Sequence, residues 1–176
     1  MRQWLAWICV LALLALPCAL AEEADEEAAE ETYAFLVQIS GEEGEEPIDV
    51  AITMDADAAP MVELLGEPMG YFESESCAFQ GLDKAYTYLS FVLNTYPQDG
   101  LDLVSSLYLM DDTVTTAEGA YIGMHVDEIN ALYGEPTRTA DTSITYEKGG
   151  CALSFMLDAD GYVNAITYVS LAACVQ

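Results

Sequence analysis

The sequence predicts an α+β fold in which two tandem repeats, each a helix followed by an antiparallel meander, share a sheet with both helices on one face. The first observation is a repeated strand pattern, Leu89-Ser90-Phe91-Val92-Leu93 and Leu153-Ser154-Phe155-Met156-Leu157. The second is a repeated helix ending, Gly66-Glu67-Pro68 and Gly134-Glu135-Pro136, which lies upstream of each strand. Matching motifs in the same order are typical of a structural repeat.

The N-terminus has the pattern of a secretory signal peptide. Arg2 gives a positive start, Trp4 to Leu16 is apolar, and Ala19-Leu20-Ala21 is a small-residue cleavage site. A retained membrane anchor is the alternative, but a spanning helix needs roughly 20 apolar residues. Lipid attachment through Cys18 is a further alternative, which Pro17 disfavours. We therefore expect a secreted, extracellular protein.

The chain divides into four segments on this interpretation. Residues 1–21 are the signal peptide, and residues 22–32 are an acidic spacer with no apolar face, which we expect to be disordered. Residues 33–112 form the first repeat and residues 113–176 the second. Neither repeat alone has enough elements to cover a sheet, so we expect the two to share a core.

The composition is strongly acidic, with a formal net charge of −27. After residue 21 there are 31 acidic residues against Lys84, Arg138 and Lys148, which leaves −28. Binding to nucleic acid or to an anionic membrane surface depends on Lys and Arg, so both are excluded as partners. A basic protein or divalent cations would be attracted, and solubility is the plainer explanation of the charge.

The first repeat is predicted to begin with a hairpin, made of strands at Tyr33 to Ser40 and Ile48 to Met54 around an acidic turn. A helix follows, with Met61, Leu64 and Leu65 facing the core, and Gly66 ends it in a left-handed conformation. The segment from Met69 to Ala85 is irregular and predicts a loop with a short strand. The last two strands are placed at Tyr86 to Asn94 and Asp102 to Met110.

The second repeat is predicted to begin with a helix whose buried stripe is Val126, Ile129, Leu132 and Tyr133. Gly134 and Pro136 end it. Glycine-containing tight turns then separate three antiparallel strands, because glycine supplies the positive φ that such turns need. These strands are Ser143 to Tyr146, Cys151 to Asp158 and Tyr162 to Ser170.

Aromatic side chains mark a candidate binding surface on the sheet. We expect Leu89, Phe91 and Leu93 to lie under the helices, which places residues of the opposite parity on the other face. Tyr86, Tyr88 and Tyr108 are therefore the candidate binding residues. The alternatives are that the N-terminal hairpin covers this face or that the face is simply exposed to water.

The cysteines permit a disulfide but do not define one. Cys77 and Cys151 would join the two repeats, and Cys174 would remain unpaired. A free buried thiol that packs as a small hydrophobic group is an equally good interpretation.

No motif in the sequence names a reaction, a metal or a cofactor. His125 is the one histidine, so neither a His-based catalytic pair nor a typical zinc site is indicated. Asp158, Asp160 and Gly161 resemble the start of a calcium loop, but Val169 stands where a hand-type loop has its glutamate. We therefore expect no enzyme activity, no metal site and no cofactor.

The segment from Gly123 to Pro136 carries a family resemblance, with the Leu-x-Phe strand and Asp160-Gly161 behind it. The pattern, over about residues 48 to 170, resembles tandem-repeat secreted proteins typified by β-lactamase inhibitory protein, and small lipoproteins of the outer-membrane assembly machinery. The chain also resembles uncharacterised secreted proteins of Gram-positive bacteria. The resemblance implies a non-enzymatic fold that binds other proteins, but no contact residue of the inhibitor aligns here.

The function predicted from these observations is a secreted, non-enzymatic protein-binding module that uses the open sheet face. Its partner is unknown, and a basic protein fits the charge. Two alternatives stay open: a calcium-dependent cell-surface module, and a secreted hydrolase that uses a pair of carboxylates.

Overall fold

The computed structural model describes residues 31–39 and 47–173, and this part of the chain is mostly β-structure, with 50% strand and 11% helix. The expected α+β class is therefore wrong. The predicted signal peptide, residues 22–30 of the spacer, the acidic turn at 41–46 and Cys174 lie outside the described residues.

The described chain forms ten strands and two short helices. The elements of the first half are β1 (Ala34–Ile39), β2 (Ile48–Thr53), α1 (Ala59–Leu65), β3 (Gly70–Glu75), β4 (Leu82–Thr87), β5 (Phe91–Gln98) and β6 (Leu101–Leu109). Those of the second half are α2 (Val126–Tyr133), β7 (Arg138–Ala140), β8 (Ser143–Lys148), β9 (Cys151–Leu157) and β10 (Val163–Ser170).

The strands form one antiparallel eight-stranded sheet and a separate two-stranded hairpin. The sheet order is β3-β4-β5-β6-β10-β9-β8-β7, so two four-stranded meanders meet where β6 pairs with β10. Leu109 opposes Ile166 and Leu107 opposes Tyr168 at this junction. Because all four side chains are buried, the two halves share one core. The division into two repeats stays a prediction.

The hairpin β1–β2, predicted from the sequence, is confirmed, and it packs on one face of the sheet. Phe35 and Ile52 are fully buried. The Phe35 ring lies 5.3 Å from the Phe91 ring and 6.1 Å from the Tyr168 ring. Strands β5 and β10 carry those two partners, so the hairpin spans both halves of the sheet.

The helices contribute less to the core than expected. Helix α1 has no buried residue, and α2 has only Ile129. Leu64 and Leu132, both predicted to face the core, are 54% and 43% exposed. Met61 and Leu65 of α1, and Val126 and Tyr133 of α2, pack against the core as expected but are only partly buried. The prediction that the helices cover the sheet face is therefore wrong.

The predicted helix endings are confirmed. Gly66 and Gly134 have φ of 75° and 80°, a left-handed conformation that favours glycine. At the start of α2, the His125 Nδ1 accepts a hydrogen bond from the Asp127 N–H at 3.3 Å, and Glu128 completes a capping box. The single histidine is therefore a helix cap.

One predicted strand, Tyr86 to Asn94, is two strands separated by a tight turn. Strand β4 ends at Thr87 and β5 begins at Phe91, and the Tyr88 N–H donates to the Phe91 carbonyl at 2.9 Å. Leu89 lies in the turn and is 76% exposed, although it was expected in the core. Because Leu89 continues the alternating apolar pattern of the flanking strands, the sequence gives no sign of the turn between β4 and β5.

The proposed disulfide between Cys77 and Cys151 is not formed. Both thiols are free within the described residues; Cys77 is exposed after β3, and Cys151 is buried on β9. Strands β4, β5, β6 and β10 lie between β3 and β9. At about 4.8 Å per strand this separation far exceeds the roughly 7 Å Cα distance that a disulfide tolerates.

Candidate functional site

The face of the sheet opposite the hairpin is the candidate site, and we call it the open face. Directly opposed residues of antiparallel strands point to the same side, so the register assigns each side chain to a face. The open face carries Gly70, Phe72, Ser74, Asp83, Ala85, Thr87, Val92, Asn94, Ser106, Tyr108, Ala165, Thr167, Val169, Ala152, Ser154, Met156, Ser143, Thr145, Glu147, Arg138 and Ala140.

The open face is nearly free of charge, although the chain has 31 acidic residues. The charged residues in the set are Asp83 on β4, Arg138 on β7 and Glu147 on β8. The Arg138 guanidinium lies 2.8 Å from the Glu147 carboxylate, so this pair is neutral overall. The centre of the face, on β5, β6, β10 and β9, carries no ionisable group except the tyrosine hydroxyl.

Short polar side chains bond to one another across the strands of the open face. The Asn94 amide donates to the Ser106 hydroxyl at 3.0 Å, and the hydroxyls of Thr145 and Ser154 lie 2.9 Å apart. These hydrogen bonds hold the side chains close to the sheet, so this part of the open face is flat. Such a surface can lie against a broad partner surface.

Tyr108 stands at the middle of this surface. It lies on β6, one of the two central strands, between Val92 on β5 and Thr167 on β10. Its side chain is 44% exposed, and Met156, also on the open face, is 42% exposed. These two large, exposed side chains are surrounded by smaller ones on the open face, and they are candidate contact residues for a partner.

The three tyrosines predicted as binding residues do not share a surface. Tyr108 lies on the open face as expected. Tyr86 opposes Leu93, which puts it on the hairpin side, where its ring lies 5.2 Å from that of Tyr71. Tyr88 is 9% exposed in the β4–β5 turn and stacks on Phe91 at 5.0 Å. The strand break at this turn is the physical reason for the separation.

A pocket of about 380 Å³ opens at the β3 corner of the open face. Its outer wall is the loop between β3 and β4, where the Ser76 hydroxyl accepts a hydrogen bond from the Phe79 N–H at 3.2 Å. The Phe79 ring lies 4.7 Å from that of Tyr96 on β5. Gly81 is required here, because a Cβ atom would lie 2.8 Å from Pro97. The loop is thus held against the sheet.

Electrostatics around the pocket are set by a few groups. One carboxylate oxygen of Asp83 is buried without a hydrogen-bond partner among the described residues. Lys84 forms an ion pair with Asp102, which raises the pKa of the lysine. Burial, and a hydrogen bond from its hydroxyl to Asp55 at 2.8 Å, raise the pKa of Tyr96 to about 12. Tyr96 is therefore a neutral donor at physiological pH.

This pocket does not present the chemistry that a two-carboxylate hydrolase needs. Among the lining residues in the described part of the chain, Asp83 is the single carboxylate. General acid and base roles in such enzymes are divided between two carboxylates on either side of a bond. The pocket offers hydroxyls, an amide and aromatic walls, which suit binding.

Metal-binding clusters of three or more His, Cys, Asp or Glu side chains are absent from the described ranges 31–39 and 47–173. The Asp158 carboxylate accepts hydrogen bonds from the N–H groups of Asp160 and Tyr162 at 3.0 and 2.9 Å. It thereby closes the β9–β10 turn, as the turn interpretation of this segment requires. Within the same ranges, neither helix has the length and apolar character to cross a membrane.

Sequence reasoning missed Phe72, Asp83 and Asn94. The first two lie in a segment interpreted as mostly loop, which the structure folds into β3 and β4. The sequence places Asn94 at the end of a strand, whereas in the structure it lies within β5. A usable signal was Gly81 at the end of the loop 76–81, because a short glycine-containing loop commonly joins the two strands of a hairpin.

The fold and the open face define a class: a mostly-β protein built on an antiparallel sheet with one covered and one exposed face. No protein family, curated protein or solved structure matches this chain. The resemblance to tandem-repeat inhibitory proteins therefore stays a prediction.

Proposed function

We propose that this chain is a secreted, non-enzymatic protein that binds another protein through the open face. One observation carries the proposal: a chain of net charge −27 has a sheet face whose centre bears no acidic residue. Protein interfaces are depleted of charge at their core and enriched in aromatic and methionine side chains. Tyr108 and Met156 supply those anchors.

The acidic remainder of the surface supports the same proposal. Desolvating a carboxylate on binding is costly, so an acid-free face is the part of this chain that can be covered at least cost. The acids elsewhere would attract a partner with a basic rim and accelerate association. Binding strength and association rate would then reside in different residues.

Site-specific crosslinking tests the proposal. The photoreactive residue p-benzoylphenylalanine replaces Tyr108 in one variant and Tyr162 in another, and each is irradiated in the native culture medium. Tyr162 is 48% exposed and lies in the β9–β10 turn, outside the open face. We expect a discrete adduct from position 108 that is absent from position 162. Equal labelling at both positions, or none at 108, would contradict the proposal.

Affinity measurements with the captured partner complete the test. Tyr108→Ala should accelerate dissociation by about 30-fold, equivalent to roughly 2 kcal/mol, because a central tyrosine acts as a hot spot. Tyr162→Ala is the matched control and should change the dissociation rate less than about twofold. Added salt should slow association in all variants alike.

A further inference from the structure

Strand β3 forms an exposed edge of the eight-stranded sheet. In the described part of the chain it pairs only with β4. Residues 71–75 are all exposed, with Tyr71 at 52% and Phe72 at 66%, and Met69 just before the strand is 75% exposed. The other edge, β7, has three residues. Because short edges resist pairing, β3 is the edge that can accept a further strand.

The register shows which backbone groups of β3 are unused. Antiparallel neighbours alternate between residues that exchange hydrogen bonds and residues that do not. The Ser76 N–H donates to the Gly81 carbonyl at 3.0 Å, in continuation of the β3–β4 register. Even-numbered residues of β3 therefore bond to β4. The N–H and C=O groups of Tyr71, Glu73 and Glu75 turn outward.

The side chains at these outward positions select the incoming strand. Glu73 and Glu75 are both exposed, and they lie on the side of the sheet away from the open face. Opposite charges at facing positions of two strands stabilise their pairing, and like charges destabilise it. An incoming strand with basic side chains facing the two glutamates would form cross-strand ion pairs.

A second copy of this chain fits the edge poorly. Pairing two copies of β3 about Glu73 would set equal charges opposite each other. Pairing about Phe72 avoids that contact but still brings together two chains of net charge −27. Acidic residues on an edge strand thus oppose self-pairing while they favour a basic strand.

We propose that β3 binds an extended segment of a partner protein that has Lys or Arg at alternate positions and apolar residues between them. The basic side chains would face Glu73 and Glu75, and the apolar ones would lie beside Phe72 on the open face. Main-chain hydrogen bonds would supply affinity and the alternating side chains specificity. The inference does not rest on the proposed function, because it uses the edge backbone and not the centre of the open face.

The test uses a labelled peptide of four Lys-Val repeats with blocked ends, whose binding is followed by fluorescence polarisation. N-methylation of the lysine residues removes the N–H groups that would face β3, and should weaken binding at least about tenfold. N-methylation of the valine residues removes N–H groups that face away from β3, and should change the affinity less than about twofold. Equal loss with both methylated peptides would overturn the proposal.

Charge variants separate the edge from the general attraction of an acidic chain. Glu73→Gln with Glu75→Gln should weaken peptide binding at least about fivefold. Glu63→Gln with Glu67→Gln removes the same charge from exposed positions outside β3 and should have less than about a twofold effect. Equal loss in both variants would show bulk attraction only and would refute the edge site.

Backbone and self-association controls complete the design. Glu73→Pro removes one outward N–H and no bond to β4, so it should abolish peptide binding while far-ultraviolet circular dichroism stays unchanged. If that variant fails to fold, the methylated peptides still decide, because they use the unaltered protein. Sedimentation velocity should show a monomer; a dimer that Glu73→Pro dissociates would make a second copy the occupant and overturn the proposal.

Discussion

Replacing Phe35 with alanine tests whether the hairpin β1–β2 is part of the core. Phe35 is fully buried and contacts rings on β5 and β10. Truncating a fully buried phenylalanine costs about 3–5 kcal/mol, from lost burial and the cavity left behind. Since both aromatic contacts are lost as well, we expect a value near the upper end of that range.

The assay is equilibrium urea denaturation followed by circular dichroism and tyrosine fluorescence. With a slope of about 2 kcal/mol per molar urea, a loss of about 5 kcal/mol lowers the midpoint by about 2.5 M. Leu36→Ala is the matched control, because Leu36 is the next residue on the same strand and is 45% exposed. It should cost less than about 1 kcal/mol.

Equal midpoints for the two variants would refute the reasoning. That result would mean that the hairpin does not seal the sheet face and that the core is closed by other elements. A loss in the Phe35 variant that is confined to β1 and β2, seen as hydrogen exchange limited to these strands, would show that the hairpin undocks as a separate unit.

Two further predictions concern buried ionisable groups. The folded-state pKa of Tyr96, about 12, lies above its ordinary value of 10.0. The stability that this shift contributes is therefore complete below pH 10 and is lost as the pH rises towards 12. The urea midpoint should fall in this pH window, and Tyr96→Phe should make that fall smaller. Burial raises the pKa of the Cys151 thiol to about 12, so in a Cys174→Ser chain lacking residues 1–21, Ellman's reagent should modify Cys77 at once and Cys151 only after unfolding. Failure of both thiols to react after unfolding would indicate a disulfide.

The structure describes the last two residues of the predicted spacer, Glu31 and Thr32. Glu31 forms an ion pair with Lys148 at 2.9 Å, and the Thr32 hydroxyl donates to the Lys148 carbonyl at 3.3 Å. The chain thus contacts the β8–β9 turn before β1 begins. An ion pair this exposed contributes little to stability, so the contact orients the chain more than it stabilises the fold.

Local chemistry could be predicted from the sequence because it depends on neighbouring residues. The left-handed glycines at positions 66 and 134 end both helices as expected. The hairpin β1–β2 and the strands β8, β9 and β10 lie close to their predicted positions. Turn glycines and alternating apolar residues influence only their near neighbours in the chain, so their effects can be predicted from a single sequence.

The candidate site was only partly predictable. Tyr108 lies on the open face as expected, whereas Tyr86 and Tyr88 do not. The missed turn between β4 and β5 breaks the alternation, so the facing of Phe91 and Leu93 does not carry back to the residues before the turn. The alternation around Leu89 gave no sign of the turn, since an exposed leucine continues the apolar pattern.

The sequence by itself determined the helix endings, most of the strands in the second half and the excess of acid. Only the tertiary structure decided which element covers the core. The hairpin and both helices all have apolar residues, and it is the hairpin that covers the sheet face, with Phe35 and Ile52 fully buried. It also decided where the acid is absent. The open face is assembled from side chains on eight strands, and their adjacency depends on long-range register, which no local pattern contains.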